Sequence, residues 1–282
     1  MKSMKIGIYE KSLPVDVDWP VKLAKAADAG FNFIEIAIDE SQELLNRLEW
    51  PFQKRIELRN AAANSGVPVF ALVLSAHRKY AFGSSSIKTR QKAKEIMKKV
   101  IDFALDIGGR VIQIAGYYVF YEKPTDCAEE WFLEGLHQGV ELATQAGIML
   151  GLENMDGQDI TSISKARKVI DLINSPWLQL YPDLGNLSAN GLDIRSELIA
   201  GQGHFIGVHL KDTRPGEFRR VPFGEGIVPF AEAFRVLQEM DYRGPFLLEM
   251  WNDGSSDILK TISESREWVI QRMVEGGLTE NK

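Results

Sequence analysis

The stretch GIMLGLEN, residues 147–154, has the pattern of a buried strand that leaves a helix and ends on a carboxylate, Glu153. Three later stretches repeat this pattern: WLQLYPD (177–183), FIGVHLKD (205–212) and GPFLLEMW (244–251). Each stretch is short, rich in branched apolar residues and preceded by an amphipathic segment, which is typical of parallel strands buried on both faces. The repetition predicts an α/β fold with a parallel sheet.

The alternation of strand and helix extends back to the N-terminus. The predicted strands are Lys5–Glu10, Phe33–Asp39, Val67–Ala76, Arg110–Gly116, Ile148–Glu153, Leu178–Asp183, Phe205–Lys211 and Pro245–Met250. Eight such units of about 30 to 40 residues, joined by right-handed crossovers, are what a (β/α)₈ TIM barrel requires. We therefore expect residues 1–282 to form a single barrel domain, with a doubly wound open sheet as the alternative.

The composition agrees with a large globular domain and disfavours two classes of partner. Hydrophobic residues make up 45% of the 282 residues, enough for a sizeable core. The net charge is −6, so no global positive field attracts nucleic acid or an anionic membrane. The N-terminus lacks a signal-peptide core, and no apolar run approaches about 18 residues. We expect a cytoplasmic protein.

Four side chains of the metal-ligating type stand at the ends of strands five to eight: Glu153, Asp183, His209 and Glu249. A lone Glu at a strand end is usually a helix cap or ion-pair partner, and a lone His is usually a core group. Four such residues on consecutive strands favour one site, because the carboxyl ends of barrel strands converge where barrels bind substrate. An oxygen-rich set with one imidazole suits a single divalent metal ion such as Mn²⁺, Zn²⁺ or Co²⁺.

Longer motifs carry a resemblance to a known family. They are GIYEKSLP (7–14), LSAHRKY (74–80), IQIAGYYVFY (112–121), YPDLGNLSA (181–189) and HLKDTRPGEFRRVPFGEG (209–226). Together they resemble the L-ribulose-5-phosphate 3-epimerases, also called L-xylulose-5-phosphate 3-epimerases, of the xylose-isomerase-like TIM-barrel superfamily. The resemblance implies one divalent metal held by Glu153, Asp183, His209 and Glu249, a role in L-ascorbate degradation, and proton transfer by Glu153 and Glu249.

The chemistry of that activity suits these residues. Epimerisation of a ketose phosphate at C3 removes a proton next to the C2 carbonyl, and the charge of the resulting cis-enediolate must spread onto oxygen, which a metal stabilises. Inversion needs a base on one face and an acid on the other. Glu153 and Glu249 can lie on opposite sides of the substrate, because two other strands stand between the strands that carry them. An aldose–ketose isomerase of the hexulose-6-phosphate or hydroxypyruvate type stays open as the alternative.

Basic side chains crowd the loop after strand seven: Lys211, Arg214, Arg219 and Arg220. Loops after strands seven and eight often hold a substrate phosphate in barrels. Lys211 is the leading candidate, because it lies two residues beyond His209 on the same strand face.

Three further residues are candidates for substrate contact, and one nearby acid is not. His77 and Arg78 end strand three and are expected to bind substrate hydroxyls or phosphate. Asn186 either contacts the sugar or closes an Asx turn. Glu35, within strand two, is expected to be structural.

Two other functional classes remain open. A DNA-repair endonuclease can share this barrel, but its trinuclear metal site is rich in His, whereas this chain has only 4 His residues and a negative net charge. A metal-binding or sugar-sensing protein without catalysis is disfavoured by the presence of both Glu153 and Glu249. The expected partners are therefore a small-molecule ketose phosphate and a second copy of the chain, in a homodimer formed through outer helices.

Overall fold

The computed structural model describes residues 4–255 and 257–278. Its strands, in chain order, are β1 (Ile6–Tyr9), β2 (Phe33–Ala37), β3 (Val69–Leu74), β4 (Val111–Ala115), β5 (Met149–Glu153), β6 (Leu178–Leu180), β7 (Val208–Leu210), β8 (Asp212–Arg214), β9 (Glu217–Val221) and β10 (Phe246–Leu248). Strands β8 and β9 pair as an antiparallel hairpin, and the other eight form one parallel sheet in the order β6-β5-β4-β3-β2-β1-β10-β7.

The two ends of the parallel sheet meet and close it into a barrel. Parallel bridges join Leu180 to Phe205 and Asp183 to His209, so β6 lies beside β7. His209 donates its backbone N–H to Pro182 O at 2.8 Å, which continues the ladder across this junction. The predicted (β/α)₈ barrel is therefore confirmed, and the open sheet is wrong.

Helices cover the outside of the barrel. They are α1 (Trp19–Asp28), α2 (Gln42–Leu45), α3 (Phe52–Ser65), α4 (Ile87–Ile107), α5 (Ala128–Ala146), α6 (Ile163–Ile173), α7 (Leu184–Ala189), α8 (Ile194–Ala200), α9 (Phe230–Glu239) and α10 (Ile258–Glu275). Helix α4 ends at Gly108, which adopts the left-handed conformation with a φ of 83° and caps the last turn. None of the helices in the described ranges combines the length and apolar character needed to cross a bilayer.

Alternate residues of each barrel strand pack on opposite faces. In β2, Ile34 and Ile36 join the main core between the sheet and the helices. Phe33 and Ala37 belong to a smaller cluster with Tyr9 inside the barrel. The period of two is the geometry of a strand, and it decides which side chains can reach the barrel interior.

Most expected elements are present, but the carboxyl-end segments differ in detail. Strand β6 is shorter than expected, because Asp183 accepts a hydrogen bond from Asn186 N and begins helix α7 instead of continuing the strand. The loop after β7 folds back as the β8–β9 hairpin, which the apolar pattern does not indicate. Asp212 holds this segment, since its carboxylate accepts hydrogen bonds from the backbone N–H groups of Gly224 and Gly226 at 2.9 and 3.0 Å.

Candidate metal and catalytic site

The four metal-type side chains at the strand ends meet at one point. Glu153, Asp183, His209 and Glu249 each offer one ligand atom, and these atoms all lie within 4.8 Å of one another. We call them the four-residue cluster. Within residues 4–255 and 257–278 it is the only group of three or more His, Cys, Asp or Glu side chains with such a geometry.

The barrel strands position the side chains of the four-residue cluster. Strand β5 ends at Glu153, His209 is the central residue of β7, and Glu249 directly follows β10. Asp183 lies between β6 and α7, where Oδ1 caps the helix and Oδ2 faces Lys211 and the cluster. The sheet therefore fixes the spacing of the ligands through its own hydrogen bonds.

Side chains from inside the barrel contact the cluster from below. His209 Nδ1 lies 3.0 Å from Glu153 Oε1, and His209 Nε2 lies 3.1 Å from Glu35 Oε2. Gln113 donates a hydrogen bond from Nε2 to Glu153 Oε2, and the Tyr181 hydroxyl donates to Glu35 Oε1. The imidazole thus presents Nδ1 to the cluster and Nε2 to the barrel interior.

Lys211 places a positive charge beside two of the carboxylates. Its Nζ lies 3.0 Å from Asp183 Oδ2 and 3.0 Å from Glu249 Oε2. Burial lowers the pKa of Lys211, but the charges of Asp183 and Glu249 outweigh burial and raise it above its usual value. Lys211 is therefore a fixed cation of the site, within reach of the cluster itself.

The carboxyl groups of Asp183 and Glu249 titrate in opposite directions. Burial raises the pKa of Asp183 to about 7 against the opposing charge of Lys211, and Glu249 adds to the rise. Burial acts on Glu249 in the same sense, but Lys211 and His209 outweigh it and lower the pKa of Glu249 to about 2. Of the two carboxyl groups, Asp183 is therefore the one that binds a proton as the pH falls to about 7, while Glu249 stays ionised.

This donor set fits a divalent cation. Carboxyl groups outnumber their basic partners, because among the described residues Glu35 and the three cluster acids form ion pairs with Lys211 and His209 only. Asp183 Oδ2 is buried and accepts no hydrogen bond among the described residues, although Lys211 is at ion-pair distance. Buried negative charge in excess is costly without a counter-ion, and three carboxylates with one imidazole are suitable ligands for a divalent metal.

A cavity of about 100 Å³ opens onto the four-residue cluster. Glu153 and Glu249 form part of its wall, together with Tyr9, Gln113 and Trp251. The cations at this cavity are Lys11, Arg78, Lys211 and Arg219. A larger groove of about 690 Å³ lies on the outer surface between α1 and α3, but no cluster residue lines it.

Of the basic residues expected to bind substrate, Arg78, Lys211 and Arg219 line the cavity. Arg214 does not: it is exposed on the hairpin and donates from Nη2 to Glu225 Oε2 at 3.0 Å. Arg220 adopts a φ of 64° and lines a neighbouring cavity of about 200 Å³. Of the four basic residues in the loop after β7, only Lys211 and Arg219 therefore line the cavity at the four-residue cluster.

His77 and Asn186 lie outside the lining of the cavity. The His77 ring is buried against Phe82, and its Nε2 lies 3.2 Å from Ala93 O. Asn186 is buried beneath Asp183 and donates from Nδ2 to Asn154 O at 2.8 Å. The Asx turn expected of Asn186 is not formed by its own side chain, since Asn186 Oδ1 has no hydrogen-bond partner among the described residues; the cap here is made by Asp183 Oδ1, which accepts from the Asn186 backbone N–H. A role of either residue in substrate binding stays a prediction.

The sequence patterns do not predict the place of two polar residues in the site. They give no role to Gln113, and they predict a structural role for Glu35 without a link to His209. Both interrupt apolar strands, in VIQIA (111–115) and FIEIAI (33–38). A polar side chain within a buried strand is unusual, so it is the signal that could have marked both residues.

Comparisons with known proteins identify the relatives of this chain. The model of the xylose isomerase-like TIM barrel family matches residues 23–272. L-ribulose-5-phosphate 3-epimerase UlaE of Escherichia coli O157:H7 is 44% identical over 279 residues, which cover 99% of this chain and 98% of the relative. The same enzyme of Salmonella heidelberg (strain SL476) has the same identity and coverage. These relatives confirm the resemblance seen in the sequence motifs.

Solved structures of sugar epimerases share the fold. D-psicose 3-epimerase of Clostridium cellulolyticum H10, solved with D-tagatose, superposes with a TM-score of 0.81 over 96% of this chain and 99% of its own, at 16% identity. An L-ribulose 3-epimerase superposes with a TM-score of 0.80 over 99% of both chains, at 17% identity. At such low identity these two similarities bear on the fold alone.

Proposed function

The chain belongs to the xylose isomerase-like TIM barrel family, and from that premise we propose that it is an epimerase that interconverts L-ribulose 5-phosphate and L-xylulose 5-phosphate at C3. The observation that carries this proposal is the meeting of two glutamates, Glu153 and Glu249, with Asp183 and His209 in one cluster. Relatives that are 44% identical over 99% of the chain and are named L-ribulose-5-phosphate 3-epimerases support the choice of substrate.

The proposed cofactor is one divalent metal ion, Mn²⁺, Zn²⁺ or Co²⁺, held by the four-residue cluster. When bound, such an ion supplies Lewis-acid stabilisation for negative charge on the substrate oxygens next to the reacting carbon. His209 would contribute Nδ1, since Nε2 faces Glu35. Asp183 would contribute Oδ2, because Oδ1 caps α7.

Glu153 and Glu249 are the proposed acid and base. In the closed barrel, β6 and β7 separate their strands, so the two carboxylates approach the cavity from different sides. One takes the C3 proton from one face of the substrate, and the other delivers a proton to the opposite face, which inverts C3. Gln113 orients Glu153 and Lys211 orients Glu249 through direct hydrogen bonds.

Arg78 is the proposed leading contact for the substrate phosphate. Lys211 is already shared by two carboxylates, and Arg219 Nη1 pairs with Asp156 Oδ2 at 2.7 Å. The Nε of Arg78 is buried and has no hydrogen-bond partner among the described residues, while its guanidinium lies 5.9 Å from the centroid of the Tyr117 ring. A cation with an unused donor beside the cavity suits a phosphate oxygen.

The remaining expectations belong to the same proposal. They are a single domain over residues 1–282, a homodimer, a cytoplasmic location, and a role in the use of L-ascorbate. The roles proposed for Lys211, Arg214, Arg219, His77 and Asn186 in substrate binding also belong here. Arg214, His77 and Asn186 have the least support, because none of them lines the cavity.

Product analysis tests the proposed activity. The protein loaded with Mn²⁺ is incubated with L-ribulose 5-phosphate, and the sugars are separated by chromatography after dephosphorylation. We expect L-xylulose to accumulate, and unphosphorylated L-ribulose to react more slowly. An aldopentose as the product, without any L-xylulose, would replace the epimerase by the isomerase alternative.

A further inference from the structure

Glu35 is a buried carboxylate inside the barrel that stands outside the four-residue cluster. It lies in the middle of β2, between Phe33 and Ala37 on the interior face. Because alternate residues of a strand share a face, the Glu35 side chain points into the barrel. It is 0% exposed. A carboxylate in such a place must have specific hydrogen-bond partners.

Both partners of Glu35 come from the opposite wall of the barrel. The Tyr181 hydroxyl donates to Oε1, and His209 Nε2 lies 3.1 Å from Oε2. The Tyr181 and His209 rings pack against each other with centroids 4.5 Å apart. Tyr181 therefore fixes one oxygen of Glu35, and the other oxygen is aimed at the imidazole.

We infer that Glu35 is a positioning residue that fixes His209 for metal binding through Nδ1. In the metal-free site both ring nitrogens face a carboxylate oxygen, Nδ1 at 3.0 Å and Nε2 at 3.1 Å. A metal ligand must be a neutral imidazole with one proton, and the Glu35 acceptor holds that remaining proton on Nε2. The lone pair is then on Nδ1, which lies 3.0 Å from Glu153 Oε1, among the other ligand atoms. Carboxylates that accept the second N–H of a ligating histidine orient the ring and strengthen it as a ligand. The inference rests on the proposed metal site, but not on the identity of the sugar.

The substitution Glu35→Gln tests this role at constant side-chain size. The glutamine amide can donate to Nε2, which moves the imidazole proton to Nδ1 and blocks the ligand position. We expect the affinity for Zn²⁺, measured on metal-stripped protein by competition with a chromophoric chelator, to fall about 10- to 100-fold. His209→Ala gives the reference for complete loss of this ligand.

Tyr181→Phe is the matched control. It removes the other hydrogen bond to Glu35 but leaves the contact between Glu35 and His209, so it should weaken Zn²⁺ binding less than Glu35→Gln. The visible absorption of the Co²⁺-loaded proteins should change in Glu35→Gln and stay close to wild type in Tyr181→Phe. A merely structural role would lower the unfolding midpoint of the metal-stripped variants without changing either metal readout.

Equal Zn²⁺ affinity in wild type and Glu35→Gln would overturn the inference. If that variant does not fold, the wild-type protein decides: long-range ¹H–¹⁵N NMR of the Zn²⁺-loaded form should place the His209 proton on Nε2, and a proton on Nδ1 would contradict the role. A wild-type protein without affinity for divalent metals would instead remove the proposed metal site, and this inference with it.

Discussion

Two glutamates at strand ends have opposite surroundings: Glu10, which is buried after β1, and Glu249, which is partly buried after β10. Glu10 accepts two hydrogen bonds from Arg47, one of them at 3.0 Å, and one from Ala37 N at 2.5 Å. Lys22 Nζ lies 4.0 Å away. Glu249 shares Lys211 with Asp183 and faces a cavity.

The balance of charge around each acid therefore indicates its role better than its position at a strand end does. Around Glu10, cations and backbone donors satisfy the carboxylate, and no group is left to act on a ligand. Around Glu249, the carboxylates outnumber the cations and a cavity gives access. An unbalanced charge beside a cavity is what a metal and an acid–base catalyst need.

Substitution of the two glutamates at the cavity, Glu153 and Glu249, should have the largest effect on activity. Glu153→Gln and Glu249→Gln should each lower kcat by about 10²- to 10⁴-fold, because glutamine retains the shape and one ligand oxygen but cannot carry the proton. Steady-state assays with L-ribulose 5-phosphate at saturating Mn²⁺ measure this loss. Turnover within a few fold of wild type in either variant would remove that residue from proton transfer.

Substitution of Glu10, whose charge is balanced by Arg47 and Lys22, should lower the stability of the protein instead of its activity. Glu10→Gln leaves Arg47 and Lys22 buried near a neutral amide, so the free energy of unfolding should fall by about 3 to 5 kcal/mol. Urea unfolding of the variant measures it, with Arg47→Gln as the reciprocal control. Zn²⁺ affinity should stay at the wild-type value. A loss of metal affinity with unchanged stability would invert the comparison between the two glutamates.

Two arginines extend the comparison. Arg47 donates three hydrogen bonds, two to Glu10 and one to a backbone oxygen, whereas Arg78 Nε has no hydrogen-bond partner among the described residues. Arg78→Gln should remove a charge-assisted contact of about 1.5 to 3 kcal/mol with the phosphate, or roughly tenfold or more in KM. The effect should appear with L-ribulose 5-phosphate and not with L-ribulose. Arg214→Gln is the control, since Arg214 is exposed and already bonded to Glu225. An equal effect of Arg78→Gln on both sugars would place the phosphate elsewhere.

The smallest effect concerns His77, which is buried and has no charged partner within the part of the chain that the structure describes. Burial lowers its pKa to about 4, against the opposing hydrogen bond to Ala93 O. The unfolded chain, with a pKa near 6.5, therefore binds the proton first as the pH falls, and stability is lost between pH 6.5 and about 4.

From pH 6.5 to 5.5 this loss is about 1 kcal/mol, and His77→Gln should remove it. Urea unfolding of both proteins at the two pH values measures the difference. The same pH dependence in the variant would show that other groups cause the acid sensitivity.

The sequence predicts the barrel and the four cluster residues because both follow from local patterns. Short apolar runs mark the strands, and ligand-type residues stand at the ends of strands five to eight. It does not distinguish Glu10 from Glu249, since both follow apolar strands. The fold brings their partners Arg47 and Lys211 to them, and Arg47 lies 37 residues from Glu10 in the chain.

The substrate-binding residues are less predictable for the same reason. Sequence distance to His209 favours Lys211 as the phosphate contact, but the fold turns its ammonium toward Asp183 and Glu249. The β8–β9 hairpin points Arg214 away from the cavity and Arg219 into it, which depends on the pairing register of two short strands.

Deuterium exchange separates the roles of Glu153 and Glu249 in proton transfer. Each Gln variant, loaded with Mn²⁺ in D₂O, is given L-ribulose 5-phosphate and L-xylulose 5-phosphate separately, and deuterium is located by NMR. We predict that each variant exchanges the C3 hydrogen of one epimer only, that Glu153→Gln and Glu249→Gln select opposite epimers, and that neither forms product at an appreciable rate. Deuterium at C1 instead of C3, or exchange of both epimers by the same variant, would contradict a reaction in which Glu153 and Glu249 serve opposite faces.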